Sequence, residues 1–214
     1  MALNPCALAA LVLLAAVPGC GRVKDATSTV LARAGLGGGS ATVPASRLSR
    51  DQVEKIGQPV IHVMTPARGQ DTLLVIRDRG PGDILAWGGA DATLFTFRDG
   101  VLIETRGLGS DLMSSSAPSV VMLRSGAVYR RDYFVLGSDD RTESHPFRCS
   151  TTRQETGEVA VYGLVHSVTH LRETCDGRGE AITNDYWLEG ATVRKAREWV
   201  SPDIGHVWFE RVID

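Results

Sequence analysis

The sequence predicts a mainly β fold: a single-domain antiparallel meander, built as a large curved sheet, a sandwich or a partly closed barrel, with a short N-terminal helix. Three observations carry this expectation. Beyond Pro59 the chain is a succession of runs rich in Val, Ile, Leu, Thr and aromatics, bounded by Gly, Asp, Ser or Pro. Asp99-Gly100 separates two alternating runs and is a type I′ hairpin signal, because both central positions need positive φ. Successive runs are joined by segments too short for the crossovers that parallel strands require.

In chain order, residues 1–19 come first. One short apolar run, Ala7 to Ala16, suits the core of a secretory signal and is too short to span a bilayer. Val17-Pro18-Gly19-Cys20 follows and resembles the lipobox of bacterial lipoproteins. The resemblance makes Cys20 the lipid attachment site and new N-terminus, and Gly21 in place of an inner-membrane retention Asp implies the outer membrane. Two or more acyl chains hold a protein firmly where one holds it marginally. Residues 20–46 read as the lipidated N-terminus and a flexible tether, since Gly35-Leu36-Gly37-Gly38-Gly39-Ser40 cannot pack a core.

Residues 47–214 form the β-rich domain, long enough for a sizeable core. Ser49 to Gly57 reads as the short helix, capped by Ser49 with Gln52 as its capping-box partner and ended by Gly57. Strand runs are expected at Val60–Met64, Thr72–Arg77, Ile84–Trp87, Ala92–Arg98, Val101–Thr105, Val120–Arg124 and Ala127–Leu136. They continue through Thr142–Thr152, Val159–Thr174, Ala181–Leu188, Thr192–Val200 and His206–Ile213. Arg124-Ser125-Gly126-Ala127 reads as a second tight turn, and Gly109 to Ser116 as a serine-rich loop.

The formal charge of -2 is near balance, so neither nucleic acid nor an acidic membrane surface is expected as a partner. Of four cysteines, Cys6 leaves with the signal and Cys20 takes lipid, so Cys149 and Cys175 remain as one pair. An oxidising compartment favours a disulfide between them, pinning neighbouring strands. The rival reading, buried free thiols or a metal pair, lacks the short Cys-x-x-Cys spacing of zinc sites.

Candidate chemistry is sparse. His166 and His170 stand four apart, which on a strand separates them by roughly 13 Å and prevents shared ligation. His62, His145 and His206 are isolated. No Gly-x-Ser-x-Gly elbow or Ser-x-x-Lys accompanies the serines. Asp139-Asp140 and Asp176 to Glu180 read as turns. An enzyme would need a site assembled from distant loops, for example Asp91, Asp111 and His166. No catalytic residue, metal or cofactor is expected. Trp87, Trp187, Trp199, Trp208 and Tyr186 lie on expected strands; core residues are the default reading, with a sugar-stacking groove if several line up exposed.

One segment is more specific. Trp87, then Thr93 to Arg98, Asp99-Gly100, Val101 to Thr105, Gly107-Leu108 and Asp111-Leu112 closely resemble the YjbF/GfcB lipoproteins. Asn184-Asp185-Tyr186-Trp187 and Trp199-Val200-Ser201-Pro202 resemble that family's Asn-x-Tyr-Trp and Gln-Trp-x-Ser-Pro segments. This chain has Ala196-Arg197-Glu198 where the family often has Ser-Arg-Gln. The resemblance implies an outer-membrane lipoprotein tied to export or assembly of extracellular or capsular polysaccharide; with the lipobox, the β meander and no assembled active site, the expectation is a non-enzymatic accessory whose body faces the periplasm. The resemblance also implies an outer-membrane β-barrel export protein and periplasmic assembly proteins as partners, and polysaccharide as a further one. The alternatives are a carrier whose curved sheet shelters a lipid or lipid-linked sugar, and a glycan-modifying enzyme.

Overall fold

The computed structural model describes residues 44–214; the signal-like segment, Cys20 and nearly all of the tether lie outside them. The strands are β1 (Val60–Thr65), β2 (Gln70–Gly80), β3 (Ile84–Gly88), β4 (Leu94–Arg98), β5 (Val101–Arg106) and β6 (Leu112–Ser115). They continue as β7 (Tyr129–Leu136), β8 (Thr142–Val161), β9 (Leu164–Asp176), β10 (Ala181–Glu189), β11 (Thr192–Ser201) and β12 (Gly205–Ile213). Among the described residues two short α-helices accompany them, α1 (Arg50–Glu54) and α2 (Val120–Ser125), with 3-10 turns at Ala45–Arg47 and Pro66–Arg68. All strands belong to one 12-stranded sheet in the order β5-β4-β3-β2-β1-β12-β11-β10-β9-β8-β7-β6. Every pairing is antiparallel, and β12 returns to lie beside β1. The sheet curls into a nearly closed barrel, so of the three expected architectures the sandwich is excluded. Its two edges, β5 and β6, are consecutive in sequence.

Local chemistry explains most elements. Ser49 accepts from the Gln52 amide while the Gln52 side chain accepts from the Ser49 amide, the reciprocal pair that starts α1. Asp99 and Gly100 sit at φ 51 and 80, as a two-residue primed turn requires.

Two expectations are corrected. Val120–Arg124, read as a strand, is α2: Ser119 caps it by accepting from the Met122 amide, and Gly126 ends it in the left-handed region. Val120 and Leu123, three apart, both enter the core, and burial overrides the β-branched preference. Val159–Thr174, read as one strand, contains a turn at Tyr162-Gly163, with φ 46 and 78, that separates β8 from β9. Tyrosine is an uncommon residue in that conformation, which hid the turn. The serine-rich loop also contains the short strand β6.

The barrel has an inner and an outer core. Inside, Trp87, Phe95, Phe97, Leu102, Tyr133, Phe147, Tyr186, Trp199 and Phe209 belong to one continuous cluster. Outside, Val60, Leu73, Val75 and Val212 on β1, β2 and β12 are covered by Ala45, α1 and the β8–β9 hairpin tip through Val161. The Tyr162 hydroxyl donates to the Ala45 carbonyl at 2.7 Å and fastens that tip to the entering chain.

Candidate functional site

The least expected feature is polar and lies inside the barrel. Alternation along β7 turns Tyr129, Arg131, Tyr133 and Val135 inward, so an arginine occupies an apolar row. By the same alternation β9 brings in Leu171, Glu173 and Cys175, β10 brings in Asn184 and Tyr186, and β11 brings in Ala196 and Glu198. Arg131, Glu173 and Glu198 are completely buried. The Arg131 fork donates to Glu173 at 2.6 Å, to Glu198 at 3.3 Å and to the Tyr186 hydroxyl at 2.9 Å. Asn184 donates to Glu173 at 2.5 Å and accepts from the Trp199 amide at 2.7 Å. Tyr129 donates to the second Glu173 oxygen at 2.6 Å. Burial pushes the Glu198 carboxyl above its usual range, against the opposing pull of Arg131.

This cluster clasps the barrel edges. Leu102 on edge strand β5 donates its amide to Glu198 at 3.0 Å, and its carbonyl accepts from Arg131 at 3.4 Å. Arg131 also donates to the Ser115 hydroxyl on the other edge, β6, at 3.3 Å. Side chains thus satisfy backbone groups for which the edge strand has no ladder partner. Below the clasp the loop between β5 and β6 is tied by Asp111, which accepts from Thr105 at 2.9 Å and from the amides of Gly107 at 3.0 Å and Leu108 at 3.1 Å. The Leu112 amide donates to Thr105 at 2.9 Å.

Among the described residues, aromatic side chains pack the interior. Trp199 meets Tyr133 edge to face at 5.0 Å, and Phe97 meets Phe209 at 4.7 Å. A cavity beside Trp87, Phe97 and Phe209 measures about 30 Å³, room for little more than a water molecule. That volume cannot house an acyl chain or a lipid-linked sugar, the requirement of the carrier reading.

On the outer face, His170 and Trp187 stack with ring centres 4.5 Å apart, and Trp187 and Trp208 stack at 5.9 Å. Lys195 lies over Trp208 at 5.3 Å. The tryptophans do line up, but Trp187 has one ring face on His170 and the other on Trp208, so it presents edges rather than a platform for a sugar. His62 is buried under Tyr162 and lies 2.7 Å from Asp71 and 3.2 Å from Glu210.

The enzyme constellation does not converge. Asp91 accepts from Thr93, Asp111 ties the β5–β6 loop, and His166 lies beside Glu189 on β10. His170 has a separate partner, Asp185, at 2.8 Å. Cys149 and Cys175 face each other across β8 and β9 and form a disulfide.

A family described as "Group 4 capsule polysaccharide lipoprotein gfcB, YjbF" matches residues 27–212. The chain belongs to the YjbF family. A crystal structure of the hypothetical lipoprotein YmcC from Escherichia coli K12 is similar in fold, with a TM-score of 0.69. It is 14% identical, over 78% of this chain and 90% of that one. No curated protein matches the chain at a significant level.

The residues that carry the YjbF resemblance fall into five places. Gly107, Leu108, Asp111 and Leu112 form the tie between the barrel edges, while Asp99-Gly100 is the β4–β5 turn. Trp87, Asn184, Tyr186 and Trp199 are buried inside. Trp187 belongs to the outer aromatic row, and Pro202 lies in the exposed β11–β12 turn. Cys20 lies outside the described residues. Arg131, Tyr133 and Glu173 carry no local motif; their signal was a charged or polar residue at an inward position of an alternating run.

Proposed function

We propose that this YjbF-family lipoprotein is a non-enzymatic accessory of the outer membrane that assists export or assembly of extracellular or capsular polysaccharide. It acts by docking on an outer-membrane export partner or by contacting the glycan, with its body in the periplasm. The single observation that carries the reading is the family match over residues 27–212, a family described by capsule polysaccharide and by lipoprotein character. The signal-like segment with Cys20 supports lipid anchoring, and Gly21 supports the outer membrane. The filled barrel favours a binding role played at the surface over carriage inside.

The test is the amount of extracellular polysaccharide in a strain lacking the protein, complemented with wild type or Cys20→Ala. Loss of polymer restored by wild type alone is the expected result. Equal restoration by Cys20→Ala would make the anchor dispensable, and unchanged polymer under inducing conditions would overturn the export role. In-cell crosslinking that recovers an outer-membrane β-barrel protein would identify the docking partner.

A further inference from the structure

We propose that an open depression where β7, β8 and the β9–β10 turn meet binds a carboxylate-bearing polysaccharide segment; this rests on the polysaccharide reading above. The depression measures about 700 Å³ and its lining includes Arg130, Arg148 and Arg178, with Asp176 as the one carboxylate among the residues that line it. The chain as a whole carries a formal charge of -2, so this local excess of guanidinium runs against the global balance.

The arginines are grouped on the sheet, where Arg148 stands between Arg130 on β7 and Asp176 on β9. Arg130 and Arg148 are directly opposite in the β7–β8 register, and like charges so placed destabilise a sheet. Asp132 takes up Arg130, both carboxylate oxygens lying 2.9 Å from its Nε. Arg148 and Arg178 are exposed and have no carboxylate partner among the described residues. Guanidinium forks match carboxylates in a planar, two-point geometry.

The floor is held rigid. The Cys149–Cys175 disulfide joins the residues next to Arg148 and Asp176. Gly177 lies so close to the Phe147 ring that an added Cβ would come within 2.8 Å of it, so the turn carrying Arg178 is seated directly on the core. An open trough with a fixed floor suits a chain passing through more than a small molecule enclosed on all sides.

The test is affinity electrophoresis of the full chain in detergent, through gels containing polygalacturonate, dextran or no polymer. Variants are Arg148→Glu/Arg178→Glu and, as a control with the same charge change, Arg47→Glu/Arg98→Glu. Polygalacturonate is expected to retard the wild type and the control, with apparent affinity about tenfold or more weaker in the groove variant. Dextran is expected to retard none of them, and added salt to abolish the effect. Equal thermal midpoints of the variants would show that the fold is kept. Equal retardation of groove variant and wild type, no retardation of the wild type, or binding only to phosphatidylglycerol vesicles would each overturn the proposal. The groove variant is also placed in the deletion strain. Full restoration of polymer there would overturn the groove while leaving the export role standing. A deletion without effect on polymer would remove the export role, and the gels would still decide whether the groove binds polyanion.

Discussion

A guanidinium sealed from water needs its whole fork occupied, and Arg131 finds Ser115, Glu173, Tyr186, Leu102 and Glu198. One cation faces two carboxyls, so a neutral cluster contains one proton more than two carboxylates would carry. Burial pushes the Glu198 carboxyl up, and Glu173 is the carboxyl nearest the guanidinium, 2.6 Å from Arg131. Tyr186 has a single hydroxyl proton for two carboxyl oxygens, at 3.0 and 3.3 Å, and a protonated Glu198 removes that conflict. Glu198→Gln, which restores the glutamine of the family pattern, is therefore expected to cost less than about 1 kcal/mol in urea unfolding. Arg131→Met leaves a buried charge without its partner and is expected to cost about 3–5 kcal/mol in the same measurement. His62 supplies a pH dependence. Burial alone would push its imidazole down, but hydrogen bonds and charge from Glu210 and Asp71 more than offset this, and the pKa rises above 6.5. A proton held more tightly when folded stabilises fully below the unfolded value, and that contribution is lost as pH rises through the folded one. Unfolding free energies of wild type relative to His62→Gln are therefore expected to fall as pH rises from about 6 to 9, with the decline starting near the unfolded value of about 6.5. A difference that stays constant over that window would refute the role of the imidazole.

Among the elements, the β4–β5 hairpin was the most legible in sequence, because a two-residue turn demands residues that tolerate positive φ. Gly100 has a second reason to be glycine: a Cβ there would come within 3.1 Å of the Val193 side chain. Gly100→Ala is expected to destabilise by about 1–3 kcal/mol in chemical unfolding, from the left-handed backbone together with that contact. The Cys149–Cys175 pair was equally legible, from compartment and arithmetic rather than from local pattern. Its reduction is expected to cost roughly 3.5 kcal/mol in the chain-entropy model, read as a lower unfolding midpoint in reductant. The helix α2 reads as a strand in sequence because Val120-Val121 are β-branched, and Gly126, which stops the helix, reads equally well as part of a tight turn. The Tyr162-Gly163 turn was missed because a side chain held by Ala45 and His62, distant in sequence, stabilises a conformation that tyrosine seldom adopts. Long-range contact decides both cases, and composition within a window does not contain it.

At the scale of the molecule, the antiparallel meander followed from short connections, whereas its closure did not, since no rule of alternation says where two edges meet. The YjbF-type run from Thr105 to Leu112 marked the place without revealing why: Asp111 ties the two edges from the loop between them. Asp111→Ala is expected to open that region, seen as faster amide exchange in β5 and β6 than in β1 and β12, where backbone ladders continue on both sides. The place where the described chain enters the sheet has a mechanical consequence. The chain enters at Ala45, is clipped by Tyr162, and leads through α1 into β1, which lies in the middle of the sheet between β2 and β12. Tension from an anchor upstream of Pro44 would pull β1 along its own axis and load both flanking ladders in shear, where many hydrogen bonds share the force at once. Had the tether joined an edge strand such as β5 or β6, the same pull would peel the sheet one bond at a time.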